Sequence, residues 1–407
     1  MKKTLLTICL TWMCFSLSAQ KIIDLSGKWS FSIDRQDNGE KEKWFSHTLN
    51  DCINLPGSMP EKLKGDEVTA KTQWTGSLYD SSYYYNPYME KYRKEGNIKF
   101  PFFLTPDKHY VGAAWYQKEV NIPADWKGER ILLFLERPHI ETTVWVNGQK
   151  TGMQNSLCVP HQYDITRYVR PGKCTITIRV DNRTKEINVG PDSHSITDQT
   201  QGNWNGIVGR ICLQTTPKTY FDDIQIYPEP EQKLARVKVV IKGAGITKIK
   251  LSAESFNTDK KHIVPAIQQE IKLNKGVTET EMVLPMGNDM LLWDEFHPAL
   301  YKLKAEVTNG KKTEIKEIQF GMRRFEIKGK WFYVNGRKTQ LRGTVENCDF
   351  PLTGYAPMDV ESWERVFRIC RSYGLNHMRF HSFCPPEAAF IAVSYTHLRA
   401  HETGAYL

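Results

Sequence analysis

Between about residues 21 and 217 the apolar positions come in short runs separated by turn residues. "RILLFLERP" and "CTITIRVDN" alternate or stay apolar for a strand's length. "ETTVWVNGQKTG" alternates and then turns at Asn147-Gly148, a pair that favours a two-residue hairpin. No helical period in this stretch lasts longer than two turns. The pattern predicts a mostly β chain opening with a jelly-roll β-sandwich over 20–217. One insertion, "YDSSYYYNPYMEKYRKEGNIKFPFF", is Tyr-rich and aperiodic, and is expected to form a long surface loop.

A second all-β unit is predicted over 218–321. "ARVKVVIKG", "KIKLSAES", "ALYKLKAEV" and "TEIKEIQFG" alternate, with Asn309-Gly310 between the last two. About 100 residues at this spacing suit an immunoglobulin-like β-sandwich. After 322 the style changes. "KWFYVNGRKTQLRG" predicts a hairpin, and "MDVESWERVFRICRSYG" an amphipathic helix. Asp359 is its expected N-cap and Gly374 its stop, with Trp363, Val366, Phe367 and Cys370 on one face. "LNHMRFH" follows as a strand, so strand, helix and strand open a parallel α/β domain over 322–392.

The N-terminus adds an address. Lys2 and Lys3 precede an apolar stretch from Leu5 to Leu17, too short to span a bilayer, and Ser16, Ser18 and Ala19 are small. Residues 1–19 therefore predict a cleavable signal peptide and a secreted or periplasmic protein without a membrane span. Cleavage near Ala19 leaves seven scattered cysteines, an odd set that makes no disulfide framework, and no CxxC or HExxH spacing implies a metal. The chain of 407 residues carries a net charge of +9, spread through interleaved Lys and Glu rather than gathered into a basic stripe. That argues against a nucleic-acid partner. Eleven Trp, 18 Tyr and 18 Phe suit a sugar-handling protein, although sandwich cores account for most aromatic residues of such a chain.

Candidate chemistry gathers near the end. His377, Arg379 and His381 share one face of their strand, with Met378 and Phe380 on the other. In a (β/α)8 barrel the C-terminal strand ends line the active site, where Arg379, His381, Glu346 and Asn347 would lie. The residues alone leave two readings of Arg379 open: a substrate-binding group, or a buried charge paired inside the barrel.

The order of parts resembles glycoside hydrolase family 2, the β-galactosidase, β-glucuronidase and β-mannosidase family. "GAAWYQKEVNIPADW" (112–126), "VWVNGQKTG" (144–152) and "YDITRYVRPGKCTITIRVDN" (163–182) are similar to its first-domain strands. "GNWNGIVGRICLQ" (202–214) looks like its Trp and Gly-Ile turn, and "LLWDEFHPALYKLKAEV" (291–307) is similar to a signature near the end of its sandwich. "FGMRRFEIKGKWFYVNGRKTQLRG" (320–343) is similar to its Phe-Gly-x-Arg, Asn-Gly and Leu-Arg-Gly approach to a TIM barrel. The resemblance implies an exported retaining β-glycosidase acting on terminal β-linked sugars of an oligo- or polysaccharide, with no cofactor.

It also implies roles. Arg379 falls on the second-strand arginine that orients the nucleophile, and His381 lies near the family's histidine in that strand. Asp198, Gln201 and Asn203 occupy a stretch from which some members reach into the barrel; each could equally satisfy its own loop. Thr344, Val345, Glu346 and Asn347 stand where the family has Val-Asn-x-His, so a usual sugar-contacting histidine is missing. The family's two catalytic glutamates belong to the fourth and seventh barrel strands, whereas the sequence predicts only the first two. The last stretch, 393–407, breaks the helical period and resembles translated sequencing adapter, so an artefactual tail is expected there. A reading from another class remains: a non-catalytic carbohydrate-binding protein of two sandwiches, for which a barrel start has no use.

Overall fold

A computed structural model describes residues 20–76, 85–99, 105–185, 195–198, 200–396 and 399–403. The leader (1–19) and much of the Tyr-rich insertion lie outside the described residues. The middle of that insertion forms a 3-10 turn, Pro87–Tyr92, beside exposed Tyr85 and Tyr88.

The first domain is a sandwich of two antiparallel sheets. One runs Ile22–Asp24, Gly206–Thr216, Arg130–Pro138, His161–Asp164, with Gly57–Ser58 also paired to Gly206–Thr216. The other runs Gln149–Asn155, Glu141–Val146, Gly172–Asp181, Ala113–Ile122, Gly27–Asp34, Asp51–Leu55. Register decides what each face buries. Val144, Ile178, Tyr116 and Phe31 are opposite one another across four strands and all are fully buried. Their neighbours Trp115 and Arg179 point to the other face, because side chains alternate along a strand. Trp115 packs there on Trp145 and donates to Asp34 Oδ2 at 2.9 Å. Seven of the ten described tryptophans are buried, Trp29, Trp115 and Trp145 among them.

On that same outer face an ionic hub forms around Asp181. Its carboxylate accepts from Arg179 (2.9 Å), Arg183 (2.6 Å) and Lys185 (2.7 Å), while Arg179 also reaches Asp37 and Glu141. Asn147-Gly148 forms the predicted hairpin turn, with φ of 50° and 78° at the two residues. Positive φ at both positions matches the right-handed twist of the flanking strands.

The second sandwich departs from the predicted runs. The separate runs "ARVKVVIKG" and "KIKLSAES" are parts of one strand, Leu234–Phe256, paired along its length with Ile263–Pro285. The pairing shifts between Gly243 and Gly245, and there the strand changes partner. Its first half pairs with Tyr220–Glu229 and its second with Leu300–Asn309, which continues to Lys312–Phe320. The glycines mark a bulge rather than a turn, since a bulge bends a strand without ending it. Val237, Val239 and Ile241 from the first half, and Ile249 and Leu251 from the second, are all fully buried in one core.

A three-stranded antiparallel sheet, Phe325–Lys328, Trp331–Val334 and Arg337–Thr339, leads into the parallel part. The first barrel strand is Gly343–Glu346 and the second His377–His381, joined through helix α1 (Val360–Ser372). Asp359 caps α1 by accepting from the Ser362 N–H at 2.7 Å. At the other end Gly374 (φ 77°) donates to the Arg371 carbonyl and Leu375 to that of Cys370, the paired bonds of a glycine stop. Trp363 and Phe367 are buried on Met378 and Phe380.

Helix α2 (Glu387–Tyr395) follows, so the helix runs past Val393, where the sequence predicted a break. A third strand, 399–403, lies parallel to the second in register His377 with Arg399. The open edge of the second strand offers main-chain N–H and C=O groups to any extended segment, and this one pairs with them.

Candidate functional site

Alternation on the second barrel strand falls as predicted. Met378 and Phe380 are buried toward α1, Phe380 meeting the Trp363 ring at 5.7 Å, while His377, Arg379 and His381 take the other, partly open face. Parallel register pairs Val345 with Arg379 and Glu346 with Phe380. Glu346 therefore sits on the helix side, not beside Arg379. Burial, with the Glu346 charge added, pushes the thiol of Cys370 on α1 up, and Glu346 Oε1 accepts the N–H of Cys348 at 2.8 Å. Asn347 is exposed beyond it.

The jelly roll supplies the opposite wall. Asp198 is buried and accepts from the N–H groups of Thr75 (2.6 Å) and Asn203 (3.0 Å), with His109 Nε2 at 3.3 Å. Asn203 donates to Thr75 Oγ1 and the Asn182 carbonyl, and its Oδ1 meets His139 Nε2 at 3.2 Å. Both side chains thus bind their own domain and fix the loop before the Gly206–Thr216 strand. Gln201, from the same loop, crosses to the barrel: its Nε2 donates to the His381 carbonyl at 2.7 Å. The structure therefore brings Gln201 to the end of the second barrel strand, and Asp198 and Asn203 beneath it.

Two adjoining clefts lie at this junction. One is a narrow cleft lined by Lys108, His109, Asp198, Gln201, Trp204, Asp349 and Phe350 among others. The second, equally narrow, shares Gln201 and Trp204 and adds Arg137, His139, Cys348 and Phe383. Trp204 forms the common wall, stacked on His139 at 4.5 Å and tilted against Tyr355 at 5.5 Å. Burial pushes His139 down to about 3, so it is neutral at ordinary pH. Desolvation, helped by the Glu346 charge, raises the Asp349 carboxyl to about 6. The two clefts thus bring a tryptophan edge together with amide, carboxyl and imidazole groups at the seam between the jelly roll and the barrel start.

Asp349, Trp204, His139 and Arg137 were not among the sequence candidates. Trp204 carries a sequence signal only as the Trp of the Gly-Ile turn, and the Glu346/Asp349 spacing could have pointed to Asp349; His139 and Arg137 meet their partners across long chain separations. Arg137 donates from Nη2 to the Cys384 carbonyl at 2.8 Å, 247 residues away. Among the described residues no group of three or more His, Cys, Asp or Glu side chains is arranged to hold a metal. Further ties join the domains: Tyr355 OH donates to Glu61 (2.8 Å), and Arg210 links Glu136 to Glu387 at the start of α2.

Comparison with known proteins matches this arrangement in order. The profile described as "Glycosyl hydrolases family 2, sugar binding domain" matches residues 22–217, and "Glycosyl hydrolases family 2" matches 219–323. The chain belongs to glycosyl hydrolases family 2. It is 25% identical over 313 residues to a β-galactosidase of Thermoanaerobacter pseudethanolicus, covering 72% of this chain and 39% of that one. It is 23% identical over 394 residues to the β-glucuronidase of Homo sapiens, covering 88% and 53%. Among solved structures, Ruminococcus gnavus β-glucuronidase superposes with a TM-score of 0.67 at 18% identity, over 95% of this chain and 58% of that one. A family 2 member from Bacteroides cellulosilyticus gives 0.67 at 18%, over 93% and 45%. These likenesses bear out a jelly roll, an immunoglobulin-like sandwich and the start of a barrel. The chain spans between about a third and a half of the length of the first curated relatives it matches. Among the described residues no helix is long and apolar enough to cross a membrane.

Proposed function

We propose that this chain forms the sugar-facing part of an exported β-glycosidase that removes a terminal β-linked sugar from an oligo- or polysaccharide with retention of configuration. The observation that carries the reading is the bond from Gln201 to the His381 carbonyl. It docks the sandwich matched as a sugar binding domain on the end of a parallel strand that carries Arg379 and His381. A binding module of two sandwiches would have no use for that strand or for the helix packed behind it.

In this reading Phe350 and Asp349 border the sugar at the mouth of the cleft, with Gln201 and the covered Trp204 forming the wall behind them. Arg379 orients the nucleophile. Retention requires two carboxylates about 5–5.5 Å apart, one attacking the anomeric carbon and one protonating the leaving oxygen. The family resemblance assigns both to the fourth and seventh strands, beyond the three parallel strands described, so they would come from downstream sequence.

The test begins by sequencing the locus beyond the codon for Ala392 and expressing the uninterrupted frame. The product is assayed on 4-nitrophenyl β-galactoside and β-glucuronide, with the released anomer followed by proton NMR. Release of the β-anomer from either substrate is expected. Hydrolysis of neither, or an inverted product, would refute the reading. N-terminal sequencing of the exported protein should begin near Gln20.

A further inference from the structure

The turn after the second barrel strand is held from outside the barrel. Ser382 follows His381 with φ +60°, a left-handed conformation that a residue with a Cβ keeps only where its surroundings impose it. Jelly-roll donors grip both sides of it. On one side Gln201 Nε2 donates to the His381 carbonyl at 2.7 Å; on the other Arg137 Nη2 donates to the Cys384 carbonyl at 2.8 Å. The same Arg137 nitrogen reaches the Cys158 carbonyl at 3.3 Å, which ties the guanidinium to its own domain. Between the two grips Phe383 is buried and meets the Phe380 ring edge-on at 5.5 Å. Arg137 also shares a cleft wall with Cys348, in the turn after the first barrel strand.

We infer that Arg137 and Gln201 are positioning residues: together they fix the bend at Ser382 and so set where Arg379 and His381 stand. This rests on the proposed function for the idea that those two side chains face substrate. The sandwich is then part of the catalytic apparatus through geometry, without supplying a reacting group. The expected effect is large, because a displacement of about 1 Å at reacting groups can lower rate about 100-fold.

The test uses the uninterrupted gene product and its Arg137→Met, Arg137→Lys and Gln201→Ala variants. Arg137→Met and Gln201→Ala should each lower kcat about 10- to 100-fold with KM changed less than about threefold. Arg137→Lys, which keeps a donor for the Cys384 carbonyl, should recover part of that loss. Hydrogen exchange should quicken in a peptide spanning 380–386 while that spanning 130–136 stays as in the parent. A purely structural contact would alter thermal stability but not split kcat from KM. Should the parent hydrolyse no β-glycoside, the proposed function fails, and the exchange experiment still judges the clamp. Unchanged exchange at 380–386 in both donor-removing variants overturns it, as does kcat within twofold of the parent despite faster exchange. If Arg137→Met does not fold, Gln201→Ala, a substitution in a loop, decides the matter by the same readings.

Discussion

Replacing Asp181 by Asn removes the centre of the ionic hub while leaving its volume. Asp181 is fully buried and balances three cations together with Asp37 and Glu141. Without its charge Arg179, whose side chain is 8% exposed, keeps only Glu141 and the outer Asp37. Breaking a buried pair by removing one partner costs about 3–5 kcal/mol. The side chains of Arg183 and Lys185 are 35% exposed and that of Asp37 43%, so all three can turn to water, which screens part of the loss. About 2–3 kcal/mol remains, and for a unit of this size the melting temperature should fall by about 4–12 °C. Acid adds a second reading. Burial pushes the Asp181 carboxyl up, but hydrogen bonds from Arg183 and Lys185 and the Arg179 charge hold it well below the usual carboxylate range. Its stabilisation is therefore complete above the ordinary Asp value near 3.9 and fades as pH falls toward the depressed one. Other carboxylates shift parent and variant alike, so the difference between them isolates this one. Thermal unfolding followed by circular dichroism at pH 7, 5 and 3 should show an equal gap at the first two and a narrower one at the third. A gap under about 2 °C at pH 7, or one unchanged at pH 3, would refute the ionic account.

Asp359→Ala removes the cap of α1 and should cost about 1 kcal/mol, seen as faster amide exchange in the first turn of that helix; unchanged exchange would count against the cap. Gly206→Ala would put a Cβ 2.5 Å from the Gly57 carbonyl oxygen and 2.8 Å from the Ser58 Cα, both backbone, at a φ of +149°. It should lose soluble yield and near-ultraviolet circular dichroism, and a native spectrum at native yield would contradict the close approach. Asp349→Asn should raise the melting temperature at pH 8 and leave it unchanged near pH 3.5. The reason is that a carboxyl raised to about 6 in the fold but ordinary when unfolded weakens the fold as pH climbs between those values. Equal melting at pH 8 would show that Asp349 is not perturbed.

What could be read from the sequence was local. The cap and stop of α1 lie within the helix's own residues, and Asn147-Gly148 carries its turn in its backbone preferences. The face shared by His377, Arg379 and His381 needed only the period of a strand. What failed depended on partners. The two runs on either side of Gly243 and Gly245 read as separate until both are seen paired with Ile263–Pro285, whose own mixed pattern gave no clear strand signal. The side on which Glu346 lies depends on register with Phe380, which no single strand encodes. Asp198 and Asn203 could be named but not assigned, because Thr75, His109, His139 and Asn182 come from segments far along the chain. Arg137 carried no signal at all, being one arginine at the end of an apolar strand.

The long strand that bends at Gly243–Gly245 has a mechanical consequence. One continuous hairpin, Leu234–Phe256 with Ile263–Pro285, contributes to both layers of the second sandwich. The layers cannot slide past each other without shearing the hairpin's own ladder, so the sandwich resists torsion as one block. That block lies between the jelly roll, which Lys312 joins at Glu129, and the barrel start, where Trp293 Nε1 donates to the Ser394 carbonyl. Through those two bonds the hairpin-braced block is tied to both of its neighbours.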